Sequence, residues 1–86
     1  MKEIIDEQGH SVKMTDRAGA HFRDSDGKEY FIDTEMLTGN GVALYTKRIS
    51  YLDKLTKEPI SESKKNEIYS ISIKLFQSIG LRVEVY

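Results

Sequence analysis

An 86-residue chain buries roughly 60–65% of its unfolded surface and supports one core, so a single domain over residues 1–86 is expected. With 38% hydrophobic and 31% charged residues, it is apolar enough to fold and too apolar to read as disordered. Thirteen Lys and Arg stand against 14 Asp and Glu, for a net charge of −1, and there is no Cys; this excludes a disulfide framework, a thiolate zinc site and an overall basic excess for phosphate backbones. The start, Met1-Lys2-Glu3-Ile4-Ile5-Asp6, is too short in apolar residues for a signal-peptide core or a membrane span, so a cytoplasmic protein that binds neither membrane nor nucleic acid directly is expected.

The first half reads as a meander. Ile4 and Ile5, Val12 and Met14, then Ala20 and Phe22 lie in short segments broken at Gln8-Gly9 and Ala18-Gly19. Ser25-Asp26-Gly27 is the clearest turn signal. A two-residue turn sets Asp24 opposite Glu29, two like charges. A three-residue turn with Gly27 as the bulge residue sets Asp24 opposite Lys28 and Arg23 opposite Glu29, and is preferred. It also pairs Phe22 with Tyr30 and Ala20 with Ile32 on a core face, leaving His21, Arg23, Glu29 and Phe31 outside.

Gly39-Asn40-Gly41 is a turn, and Val42 to Lys47 follows as another strand. Ile49, Tyr51, Leu52 and Leu55 have no clean period and read as an irregular connection up to Pro59. From Glu62 to Ile79 strand-like alternation competes with a helical stripe of Ile68, Ile71, Leu75 and Ile79, flanked by Tyr69 and Phe76. Length, Ser61 as N-cap and Gly80 as the stop decide for helix. Leu81, Val83 and Val85 then alternate as a final strand. The expected fold is α+β in two layers: a mainly antiparallel β-meander sheet with one long helix of the C-terminal half packed on one face, and a closing strand.

No catalytic, metal or cofactor motif is legible. Asp24-Ser25-Asp26-Gly27 resembles part of a calcium loop, but the first ligand position would fall on Phe22 and the last on Asp33, so a hairpin is the better reading. His10 and His21 lack metal-ligand spacing, and no nucleophile elbow, phosphate-binding glycine loop or HExxH run occurs. The expectation is therefore no enzyme and no cofactor. Asp24, Asp26, Asp33, Glu35 and Asp53 form either a solvated face or a patch for a basic partner. Tyr30 and Tyr69 read as core; Tyr45, Tyr51 and Tyr86 stay open between packing and interface. The acidic bias of the first half, Asp16 and Glu29 included, contrasts with Lys64, Lys65, Lys74 and Arg82 in the second.

From Tyr30-Phe31-Ile32-Asp33-Thr34-Glu35-Met36-Leu37 onward the chain resembles the small immunity proteins of bacterial polymorphic toxin systems, most closely the immunity family numbered seventy-four. The matching features are this Glu-Met-Leu strand end, the turn Gly39-Asn40-Gly41, the strand Val42-Ala43-Leu44-Tyr45, Ile49, the helix start Pro59-Ile60-Ser61-Glu62 and the last strand Leu81-Arg82-Val83-Glu84-Val85. The resemblance implies a partner, a cognate toxin domain such as a nuclease of a contact-dependent or secreted system. On that basis Asp24, Asp26, Asp33, Glu35, Tyr45, Tyr51 and Asp53 are the toxin-binding candidates. The alternatives are a self-associating module, a homodimer through a sheet edge or through Phe31 and Tyr45, and a small ligand-binding domain or enzyme using His21.

Overall fold

In the computed structural model, which describes residues 3–15 and 18–86, the chain forms β1 (Ile4–Ile5), β2 (Ser11–Met14), β3 (Ala18–Arg23), β4 (Glu29–Leu37), β5 (Gly41–Tyr51), α1 (Glu62–Ser78) and β6 (Arg82–Val85). Asp16 and the Met1-Lys2 start lie outside the described residues. The six strands make one sheet in sequence order, antiparallel except that β6 runs parallel to β5. That exception follows from α1: a parallel neighbour needs a long crossover, and the helix supplies it. Both flanks of the sheet, β1–β2 and β6, approach α1, so the sheet curls around the helix and the fold is the expected two-layer α+β arrangement.

The core lies between one sheet face and the helix. Val12, Met14, Ala20, Phe22, Tyr30, Ile32, Val42 and Leu44 meet Ile68, Tyr69, Leu75 and Phe76 there. Burying an aromatic or large aliphatic side chain contributes about 1.5–3 kcal/mol, and Phe22, Ile32, Leu44, Ile68 and Phe76 are completely buried. The β3–β4 hairpin adopts the bulged register: Arg23 faces Glu29, Phe22 faces Tyr30, Ala20 faces Ile32, and the Asp24 N–H donates to the Lys28 carbonyl at 2.8 Å. Gly27 takes φ +90°, the left-handed position that the three-residue turn requires.

Three expectations are corrected. Ala18-Gly19 does not end a segment; it opens β3, with a register shift between Ala18 and Ala20 in which β4 carries the extra residue, so that Asp33 and Thr34 stand opposite Gly19. The stretch after Lys47 is not an irregular connection as far as Tyr51, because β5 continues to Tyr51 and pairs Ile49 with Ile32 and Tyr51 with Tyr30. Thr46, Lys47 and Arg48 are the extra residues between the two registers. An odd insertion flips the inward parity from Val42 and Leu44 to Ile49 and Tyr51, which hides the period.

The third correction concerns the helix face. Its buried residues are Ile68, Tyr69, Ser72, Leu75 and Phe76, so the expected flank lies on the packing face and Ile79 drops out, 50% exposed. Ile79 is the C-cap, with φ −106° and ψ 17°, and has already left the helical stripe. The caps are as expected. Ser61 Oγ accepts from the Lys64 N–H at 3.1 Å. At the far end the Gly80 N–H donates to the Gln77 carbonyl and the Leu81 N–H to the Phe76 carbonyl, a Schellman closure.

Candidate functional site

Strand alternation gives the sheet a second face that the helix does not cover. Phe31, Asp33 and Glu35 of β4 point to it because Tyr30, Ile32 and Thr34 point inward. Tyr45 of β5 faces Asp33 in register, and β6 adds Arg82, Glu84 and then Tyr86 beside Gly41 and Ala43. One connected row results. Tyr45 Oη donates to Glu35 Oε2 at 3.1 Å, the Tyr45 and Tyr86 rings stack with centroids 5.5 Å apart, Tyr86 Oη donates to Glu84 Oε1 at 2.9 Å, and Arg82 Nη2 donates to Glu84 Oε2 at 3.0 Å. The hydrogen bond to Glu35, with the nearby carboxylates, holds the Tyr45 phenol above its ordinary pKa. Hydrogen bonds from Tyr86 and Arg82 hold the Glu84 carboxyl below its own. The row therefore presents fixed rings and ionised acceptors to solvent.

Of the seven sequence candidates, Asp33, Glu35 and Tyr45 are brought together in this row. Tyr51 lies on the inner face, half-buried against Tyr30 with ring centroids 5.1 Å apart. It lines a shallow groove of about 310 Å³ with Gly27, Lys28, Glu29, Leu52, Asp53 and Thr56. Asp53 and Asp26 are turn formers: Asp53 Oδ1 accepts from the Leu55 N–H at 2.9 Å, and Asp26 Oδ1 accepts from the Lys28 N–H at 2.9 Å. Asp24 is buried, 4% exposed, and its carboxylate is occupied inside the protein.

Its partners form a second cluster. Asp24 pairs with Lys64 of α1, whose ammonium also meets Glu67 at 2.7 Å. His10 lies between Asp6, 2.8 Å from Nδ1, and Asp24, 3.5 Å from Nε2, with its ring stacked on Phe22. Both imidazole nitrogens thus face carboxylates, and what the arrangement does is tie the β1–β2 turn and the β3–β4 turn to the first turns of the helix. His21 is exposed on the outer face opposite Phe31, where the sequence puts it.

Glu84 and Arg82 are absent from the sequence candidates and Tyr86 stays open there between packing and interface, although the alternation of the last strand already sets all three on one face. Missing was the partner of β6, since parallel pairing across a helix leaves no local signal. Among the described residues no group of three or more His, Asp or Glu is placed to hold a metal ion, and no helix is long and apolar enough to cross a membrane. No family model, curated protein or solved structure matches the chain.

Proposed function

We propose that this chain is a protein-binding module that acts through the uncovered sheet face around Tyr45 and Tyr86, and that its partner is a basic toxin domain of a bacterial polymorphic toxin system, which it neutralises by occupation and not by chemistry. The observation that carries this reading is the row Glu35, Tyr45, Tyr86 and Glu84, with Asp33 beside it. Stacked tyrosines give contact area at low entropic loss, and carboxylates attract a nuclease-type cleft built for phosphates. The partner class comes from the resemblance, as do Asp33, Glu35 and Tyr45 as candidates; the geometry of the row supports the choice of this face. A complex of ordinary size takes roughly 800 Å² per partner, a modest share of the accessible surface of 5673 Å².

A homodimer through the same face is the weaker alternative. A two-fold axis brings the same patch against itself, and here that sets carboxylate against carboxylate. Titration calorimetry against a toxin domain encoded by an adjacent reading frame, where sequencing of the locus finds one, tests the proposal. Tight 1:1 binding is expected, weakened about 10- to 100-fold by Tyr45→Ala, the range of a central aromatic contact, and weakened further at low salt by Glu35→Lys. Absence of binding, or undiminished binding by both variants, sinks it; a solution mass of two chains favours the dimer.

A further inference from the structure

We propose that the β5 bulge forms a binding site for a small phosphorylated molecule bearing a flat ring, of the size and chemistry of a nucleoside monophosphate. The site adjoins the Tyr45–Tyr86 row at Thr46 but uses none of the row's side chains, and it does not depend on the toxin-binding reading. It originates in the register shift: β5 advances from Tyr45 to Ile49 while β4 advances by one residue. Thr46 is pinned, because its N–H and its hydroxyl both donate to the Tyr86 carbonyl at 2.9 Å and its own carbonyl accepts from Tyr69 Oη at 3.0 Å. The extra chain length is therefore taken up by Lys47 and Arg48, both exposed. Beyond Thr46 no described strand flanks β5 on the side of β6, whose pairing ends at Leu44.

The cavity left there is about 290 Å³ and is lined by Lys47, Arg48, Ser50, Phe31 and, from the helix, Lys65, besides Thr46 and Ile49. Three cationic residues line it and, among the described residues, no carboxylate does, in a chain whose net charge is −1. Among the described residues neither Lys47 nor Arg48 has an ion-pair partner, and Lys65 reaches only the exposed Glu62 at 3.3 Å. Like charges around one small volume repel each other, and a dianion reverses that sign.

An arginine fork, two ammonium groups and a hydroxyl match the donor demand of a phosphate. Phosphate alone leaves most of the cavity empty, and the volume lies near the lower end of small-molecule sites. Phe31 and Ile49 are the apolar residues of the lining, and the Phe31 ring is held from the β3 side by Gly19, where even a Cβ would lie 2.6 Å from it. Base stacking on such a ring contributes about 1–3 kcal/mol, enough to separate a nucleotide from free phosphate.

Amide chemical-shift titrations of the full chain with AMP, inorganic phosphate, adenosine and a ten-nucleotide single strand test this. AMP should saturate with shifts confined to Phe31, residues 46–50 and Lys65. Phosphate should move the same amides with at least 10-fold weaker affinity, and adenosine should not saturate. The double variant Lys47→Glu, Arg48→Glu should lose AMP binding by at least 10-fold while its remaining spectrum is unchanged, which separates lost binding from lost folding. Adenosine binding as well as AMP, shifts spread away from the bulge, an unaffected double variant, or no saturation by any of these up to millimolar concentration would overturn the site. Affinity resting on the oligonucleotide alone would overturn the small-molecule assignment in favour of a polyanion surface.

Discussion

Asp24 keeps its charge almost wholly out of water, at 4% exposure, because its two oxygens are met by Lys64 and by the Ser25 N–H at 3.0 Å. Burial pushes its carboxyl up, yet the hydrogen bonds from Lys64 and Ser25 and the nearby Lys64 and His10 charges outweigh that, and the net shift is downward. Lys64 moves the other way, raised above its ordinary value by hydrogen bonds to Asp24 and Glu67. A folded pKa below the unfolded one contributes stability that is present above the ordinary carboxylate value, 3.8, and is lost as pH falls through the lower folded value. For Lys64 the contribution is complete below 10.5 and is lost as pH rises through the higher folded value. Asp24→Asn should therefore destabilise the protein by about 2 kcal/mol at pH 7, less than the ~3–5 kcal/mol of a fully buried pair. The discount arises because the Lys64 side chain is 32% exposed and retains Glu67. Urea denaturation from pH 7 to pH 2 checks both parts: the variant should be less stable at neutral pH and lose less on acidification. Parallel curves would refute the pairing. The sequence concealed this cluster because no spacing rule joins His10, Asp24 and Lys64, which three separate elements bring together. It also shows why a count of acidic residues misleads, since Asp24 belongs to the core while Asp33 and Glu35 belong to the surface.

At the scale of elements, the bulges decide how the sheet fits. Gly19 has φ +92°, and a Cβ added there would lie 2.6 Å from Phe31 Cε2 and 3.0 Å from Cζ. Gly39 has φ +76° and nothing within 4 Å of the same position. Both glycines avoid the left-handed penalty of about 1–2 kcal/mol, but only Gly19 also admits a neighbour's ring. Gly19→Ala should destabilise by roughly 2–4 kcal/mol once overpacking is added, against about 1 kcal/mol for Gly39→Ala. Equal losses in chemical denaturation would mean that the Phe31 contact carries nothing. The β3–β4 hairpin was legible because the choice of turn could be tested on charge pairs, Arg23 with Glu29 above all. The helix was legible in its ends, Ser61 and Gly80, more than in its face. A stripe drawn through isoleucines included Ile79 and passed over Ser72, a small side chain that is fully buried with its Oγ unpartnered. Beyond Lys47 the second half of β5 was illegible because three bulged residues reverse which parity points inward.

For the whole molecule, strand order follows chain order, so every antiparallel pair is formed by neighbours in sequence and only β5–β6 spans a helix. Adjacent-strand pairing closes short loops, whereas the parallel pair must close the whole chain from Tyr51 to Arg82 and carries the larger loop-closure cost. This order bears on the proposed binding face, because β4 and β5 would contribute Asp33, Glu35 and Tyr45 early, while Glu84 and Tyr86 arrive with β6. The Tyr45–Tyr86 stack is then complete only in the fully folded chain, and no part-folded species displays the intact row. Folding kinetics separate the two stages. Ile32 is fully buried at the centre of the sheet, and Ile32→Val removes about 1 kcal/mol. Val83 is half-buried against the core, and Val83→Ala removes a comparable amount, enough for a usable φ-value. Ile32→Val should mainly slow folding, with a φ-value above about 0.5, and Val83→Ala should mainly speed unfolding, with one below about 0.3. Stopped-flow chevron plots of the two variants read this directly, and the reverse order would mean that the crossover, not the meander, nucleates the fold.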